Sequence, residues 1–178
     1  MRVYFKEEQR MNQPWILVIL IGGLGSALGV VGYGLFKQLG TGEPWGDQPM
    51  SDNGLILTFL MVLGVSIFIF GLIFSLVLKT EVRQDGIRLR FPPLINKWKE
   101  FKKEDIKSYQ VRKYNAIFEY GGWGIRVSMG KGKAYNVKGN KGMQLVLSNG
   151  KGVLIGTQKG KDFQAAMDRI MNESEEYL

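Results

Sequence analysis

Two long apolar runs set the pattern of this chain. Residues 15–36 and 54–78 contain no Asp, Glu, Lys or Arg. A helix crosses the hydrocarbon core of a bilayer with roughly 20 residues, so each run is long enough to span. The first predicts a rod of about 33 Å at ~1.5 Å per residue; the second crosses with some tilt. A cleaved signal peptide has a shorter apolar core followed by small residues. The first run ends in Leu35-Phe36-Lys37 and is read as a retained span. The pattern divides the chain into a tail (1–14), a first transmembrane helix (15–36), a loop (37–53), a second transmembrane helix (54–78) and a water-soluble domain (79–178).

In that domain the period of apolar positions falls to two. Ile87, Leu89 and Phe91 alternate with Arg88 and Arg90, and residues 82–84 precede them across Asp85-Gly86, a favoured hairpin turn. Pro92-Pro93 ends the strand. Further strands are expected over 95–101, with Trp98 and Phe101 as core contacts, and over 106–114, with Tyr109 and Val111 on one face. Lys103-Glu104-Asp105 reads as the turn between them. Short strands follow over 125–129, 134–138 and 143–147, and Asn149-Gly150 turns the chain into 153–157. Phe163, Ala166, Met167, Ile170 and Met171 then recur at helical spacing, with Asp162 as N-cap. The expectation is about seven or eight antiparallel strands closed by one amphipathic helix. So small a sheet has to curve or close to hide its edges.

Charge orients the anchor. Residues 79–178 hold 20 of the 24 Lys and Arg and 11 of the 16 acids, a net +9. The loop has Lys37 against Glu43, Asp47 and Asp52. Basic residues at span ends favour the inner side. Arg2, Lys6 and Arg10 precede the first span, and Lys79, Arg83, Arg88 and Arg90 follow the second. Both termini are therefore expected in the cytoplasm, with the loop outside. Trp15 and Tyr33 sit near the ends of the first span, where amphipathic rings prefer the interface, and Trp45 is expected in the outer headgroups. Gly22, Gly25, Ser26, Gly29 and Gly32, with Gly64, Gly71 and Ser75, let helices approach closely. The two spans are expected to pack on each other; a dimer through Gly25 and Gly29 is the alternative.

Cysteine and histidine are absent. That excludes disulfides, thiolate metal sites and the commonest general base. No carboxylate set has calcium-loop spacing, so neither a cofactor nor a metal is expected. Gly23, Gly25 and Gly29 nearly fit a dinucleotide-binding turn, but the residues after them stay apolar all round and no βαβ alternation follows. The glycine-lysine runs at 130–134 and 156–162 depart from the phosphate-loop pattern. Together these absences point away from catalysis.

The order of elements resembles the pleckstrin-homology-like domains of bacterial membrane proteins. The likeness rests on Thr80-Glu-Val-Arg-Gln-Asp-Gly-Ile, on Glu104-Asp105-Ile106 opening a strand, on 145–155 around Asn149-Gly150, and on the closing helix. Glu119-Tyr-Gly-Gly-Trp-Gly-Ile-Arg126 is similar to a segment of small bacterial membrane proteins of unknown function. The resemblance implies a transmembrane hairpin followed by a bent antiparallel barrel capped by a C-terminal helix, covering 79–172 for the domain. It implies no catalytic residues. Relatives that bind inositol lipids use a basic loop between the first two strands; here that loop is Gln84-Asp85-Gly86, short and acidic.

The candidate contact residues are Trp123, Arg126, Lys131, Lys133, Tyr135, Lys138 and Lys141. Three readings compete for them: solvated turns, attraction to the anionic inner leaflet at ~1 kcal/mol per Lys or Arg, and nucleic-acid tracking. A membrane tether disfavours the last. Trp123, between glycines, is expected to be a packed aromatic. The function expected is that of a non-enzymatic binding or scaffold protein of the cell membrane. Its partners would be the lipid bilayer and either a protein or a second copy. The alternative is a membrane-bound enzyme acting on a lipid or envelope substrate through a carboxylate pair or a Lys–Tyr pair.

Overall fold

A computed structural model of the chain describes residues 2–172. It comprises two compact units, Met1–Met11 with Ser75–Leu178, and Asn12–Phe74. Residues 173–178 of the expected 79–178 domain lie outside the described residues.

In the unit Asn12–Phe74, helix α1 (Pro14–Leu35) carries a proline in its first turn, where a missing N–H costs nothing. It runs on through a π-helical turn, Phe36–Gly40. Helix α2 covers Asp52–Ser75. Both are long and apolar enough to cross a membrane. Their apolar side chains are largely unburied: Val18 is 69% exposed and Phe68 68%. Such a surface suits an apolar solvent. Ser26, Thr58 and Ser66 donate their hydroxyls to Gly23, Gly54 and Val62 carbonyls of their own helices at 2.7–2.9 Å. That satisfies groups which hydrocarbon cannot. Trp45 lies on α1 near Tyr33, where a Cβ at Gly34 would collide with its ring. The expected close approach of the helices occurs at Gly32, where an added Cβ would meet the Phe59 ring at 3.5 Å. A Cβ at Gly25, Gly29, Gly64 or Gly71 would meet nothing within 4 Å.

The other unit has nine strands among its described residues: β1 (Val3–Arg10), β2 (Val77–Arg83), β3 (Gly86–Phe91), β4 (Ile95–Lys102), β5 (Ile106–Lys113), β6 (Gly124–Ser128), β7 (Gly132–Asn136), β8 (Lys141–Leu147) and β9 (Gly152–Gly156). Short helix α3 (Ala116–Tyr120) lies between β5 and β6, and α4 (Gly160–Asn172) follows β9. One sheet has the order β1-β2-β3-β4, the other β5-β8-β9-β7-β6. Pairing is antiparallel except between β7 and β9, which run parallel. A Cβ at Gly132 would run into the Gly152 carbonyl, so two glycines let these strands begin their ladder. No ladder joins the two sheets among the described residues, so the expected barrel is not closed.

Four local expectations change. The tail is not a tail: residues 3–10 form β1, paired with β2 from Val3↔Arg83 to Arg10↔Val77. The second apolar run divides, because the helix stops at Ser75 while Val77 and Leu78 begin β2, with Leu78 wholly buried. Asp162 lies in the first turn of α4 rather than at its cap. Trp98 is half-buried under Arg88 and Arg90, whose guanidinium carbons stand 4.1 and 4.7 Å from its ring centre, and it is not a core contact as Phe101 is.

β1 is locked into this unit from its inner face. Phe5 stacks on Phe163 of α4 with ring centres 4.6 Å apart. The buried Glu7 carboxylate accepts from Thr157 Oγ1 at 2.6 Å and from Gln158 N–H at 2.9 Å. Thr157 Oγ1 in turn accepts from Lys159 N–H at 3.0 Å, just before α4. Gln9 Nε2 donates to the Gly156 carbonyl at 2.7 Å. Phe163, Ala166, Met167 and Ile170 form the buried face of α4.

Candidate functional site

The segment 113–141 is built around a short capped helix. Asn115 Oδ1 accepts from the N–H groups of Ile117 and Phe118, the N-cap arrangement. Gly121, at φ +72°, ends α3 in the left-handed conformation. Ala116 and Tyr120 turn inward to a cluster with Tyr114, Ala134 and Leu154, against which Trp123 packs. Ile117 and Phe118 are left outside, Phe118 at 89% exposure. In the following hairpin Val127 is 72% exposed and Met129 fully so. Lys131 Nζ reaches Glu119 at 3.1 Å, which ties the β6–β7 turn to α3. β6 is also the last strand of its sheet.

Glu119 is the electrostatic centre. Arg112 Nη2 lies 2.9 Å from it, and the Asn115 N–H donates to it at 2.8 Å. The hydrogen bond from Arg112 is the main reason its carboxyl falls from 4.5 to about 2; the Asn115 N–H and Lys131 add to it against partial burial. A depressed carboxyl stabilises the fold above its unfolded value, and that contribution is lost as pH falls through the folded value. Replacing Glu119 by Gln is therefore expected to cost about 1–2 kcal/mol at neutral pH. Between pH 4.5 and about 2 the gap to wild type closes. Urea unfolding of the two proteins across that range checks it.

The predicted contact residues separate. Arg126 and Lys133 are exposed on β6 and β7. Arg126 Nε donates to the Trp123 carbonyl at 2.9 Å. Trp123 is half-buried, as a packed aromatic should be. Tyr135 is 2% exposed and belongs to the core, where its hydroxyl accepts from Lys99 Nζ at 2.8 Å. Lys138 and Lys141 flank the β7–β8 connection instead. So Arg126, Lys131 and Lys133 share the β6–β7 hairpin, while Tyr135 leaves the surface. Sequence reasoning missed Phe118 and Met129. Met129 continues the alternation of Ile125 and Val127 and so reads as a strand residue; for Phe118 the available signal was an apolar residue shortly before the Gly121-Gly122 turn.

Two surface clefts lie elsewhere in this unit. One, of about 310 Å³, is lined by Arg83, Asp85, Arg88, Glu100 and Lys102 among others. Beside it, burial resists the ionisation of Glu81, but hydrogen bonds from Arg88 and Arg83 outweigh it and hold the carboxyl below its usual range. The second, of about 350 Å³, includes Glu100, Asp105, Ser148 and Asn149. Burial also pushes the phenols of Tyr114 and Tyr120 upward. Among the described residues no group of three or more acidic side chains is placed to hold a metal ion. Compared with known proteins, the chain matches no family model, no curated protein and no solved structure.

Proposed function

We propose that this protein is a membrane-anchored binding module, with a pleckstrin-homology-like domain held at the inner surface of the cell membrane to dock a protein partner. The observation that carries this reading is the exposure of large apolar side chains on α3 (Ile117, Phe118) and on the β6–β7 hairpin (Val127, Met129), two elements tied together by the Lys131–Glu119 ion pair. The hairpin also carries Arg126, Lys131 and Lys133, and β6 is an edge strand. Exposed Phe and Met side chains on elements that also carry cations suit an interface rather than open water. The β1–β2 ladder supports the topology, since the two flanks of the anchor must share a compartment to pair. The excess of Lys and Arg on those flanks supports the cytoplasmic side.

The test is a photo-crosslinking amino acid at position 118 in the full-length protein in native membranes. The expected result is a discrete protein adduct that disappears on Met129→Asp. An adduct yield no higher than at position 107, exposed on β5, would sink the reading. An adduct twice the mass of the chain itself would replace it with self-association.

One observation favours an enzyme. Lys99 and Tyr135 form the kind of acid–base pair a lipid-modifying site would need. Against this, the Tyr135 ring is buried and neither residue lines the two clefts described. Turnover of an envelope lipid that is lost in Lys99→Met, with the fold intact, would establish it.

A further inference from the structure

The end of the first sheet that carries the anchor also carries an exposed turn. Helix α2 stops at Ser75, and the chain enters β2 two residues later, at most about 7 Å on. Met11 N–H donates to the Leu76 carbonyl at 3.3 Å, so both points where the chain leaves this unit for the spans lie side by side. The β3–β4 turn, Pro92-Pro93-Leu94, is at the same end, because Val77 N–H donates to the Pro92 carbonyl at 3.1 Å. The Gln84-Asp85 turn is at the other end of β2, roughly 20 Å away at ~3.3 Å per residue.

Three properties of the anchor-end turn belong together. Leu94 is 56% exposed. Pro92 and Pro93 have no N–H, and the Pro92 carbonyl is already bonded, so little backbone polarity has to lose water on entering a headgroup layer. Around it stand cations: Arg10 opposite Val77, Lys79 opposite Arg90, and exposed Lys97 on β4. Glu8, on Lys79 at 2.9 Å, is the counter-charge there.

We propose that the Pro92-Pro93-Leu94 turn is a third membrane contact: it seats Leu94 in the headgroup layer, with Arg10, Lys79, Arg90 and Lys97 as a ring for anionic lipid. The inference rests on the membrane-anchored reading above. It makes the bilayer surface a ligand of this unit at the end opposite the Gln84-Asp85 turn.

The chain has no cysteine, so single thiols can be placed and labelled cleanly. Full-length Leu94→Cys, Asp85→Cys and Val30→Cys proteins are labelled with an environment-sensitive dye. They are reconstituted in nanodiscs of phosphatidylcholine alone or of equal parts phosphatidylcholine and phosphatidylglycerol. Nitroxide lipids report depth. The label at 94 is expected to emit to the blue and to be quenched several-fold more by shallow nitroxides than the label at 85, and more so in the anionic discs. At about 1 M salt, where charges are screened beyond ~3 Å, the lipid dependence should vanish. Val30, inside the first span and 58% exposed, should be quenched by nitroxides set deeper than those that reach 94.

Water-like emission at 94, with deep quenching at 30 intact, overturns this proposal alone. A blue shift at 94 without quenching marks a protein cover and overturns it too. Equal behaviour in both disc compositions overturns the cationic ring. Loss of deep quenching at 30 overturns the anchored reading as well.

Discussion

Phe5→Ala is expected to lower the stability of the sheet-bearing unit by about 3–5 kcal/mol, the usual cost of removing a buried aromatic ring. Against a typical domain stability of about 5–15 kcal/mol, that is enough to leave a measurable unfolded fraction. The reason is geometric. Phe5 is 6% exposed and stacks on Phe163, which is wholly buried. Its removal opens a cavity between β1 and α4, the first and last elements of the unit. Urea titration of the reconstituted full-length protein, read by protease resistance of the sheets, checks the size. A change under about 1 kcal/mol would mean that β1 is not held as described.

Glu7→Ala has the second largest expected effect, about 2–4 kcal/mol, from a buried hydroxyl donor and a partly buried N–H left without their acceptor. Thr157 Oγ1 and Gln158 N–H both point at this carboxylate. Thr157 is 1% exposed, so water cannot readily replace the lost oxygen. Because Thr157 also accepts from Lys159 N–H, the start of α4 should loosen with it. Hydrogen exchange should therefore quicken at 159–163 in Glu7→Ala and stay near wild type on β6. Uniform quickening over both sheets, or none, would contradict the latch.

These two residues also mark where the sequence was readable and where it was not. The two long apolar helices were legible because each run stays uncharged for more than 20 residues, the pattern that hydrocarbon demands. The second boundary was misplaced by three residues for the same reason, since Val77 and Leu78 are as apolar as the helix before them but are buried in a sheet. The strands from β3 to β5 and α4 followed from period and turn residues, with small shifts at their ends, whereas β2, expected only over 82–84, begins five residues earlier at Val77.

β1 was illegible because its inward face reads Phe5, Glu7, Gln9. A period-two test looks for apolar residues inside, and two of these three are polar. They are tolerated only because partners some 150 residues away complete their hydrogen bonds. α3 was hidden by its shortness; its cap at Asn115 was the single available cue. At the candidate site, Lys131 and Lys133 were found as a charge run, but Tyr135 was grouped with them although its side chain turns into the core. Phe118 carried no pattern, because it stands outward on a five-residue helix, and Met129 was hidden by fitting the alternation of the strand expected over 125–129.

One arrangement is central: a sheet completed by residues on both sides of the two apolar helices. Glu8 and Lys79 face each other in the β1–β2 ladder, close enough for a disulfide if both become cysteine. A protease site inserted between Gly42 and Glu43 then lets an external protease cut the loop in intact cells, before oxidation of the isolated membranes. The expected result is a cut chain whose two fragments stay joined until reductant is added. A loop that resists external protease in intact cells, or fragments that separate without reductant, would contradict the account.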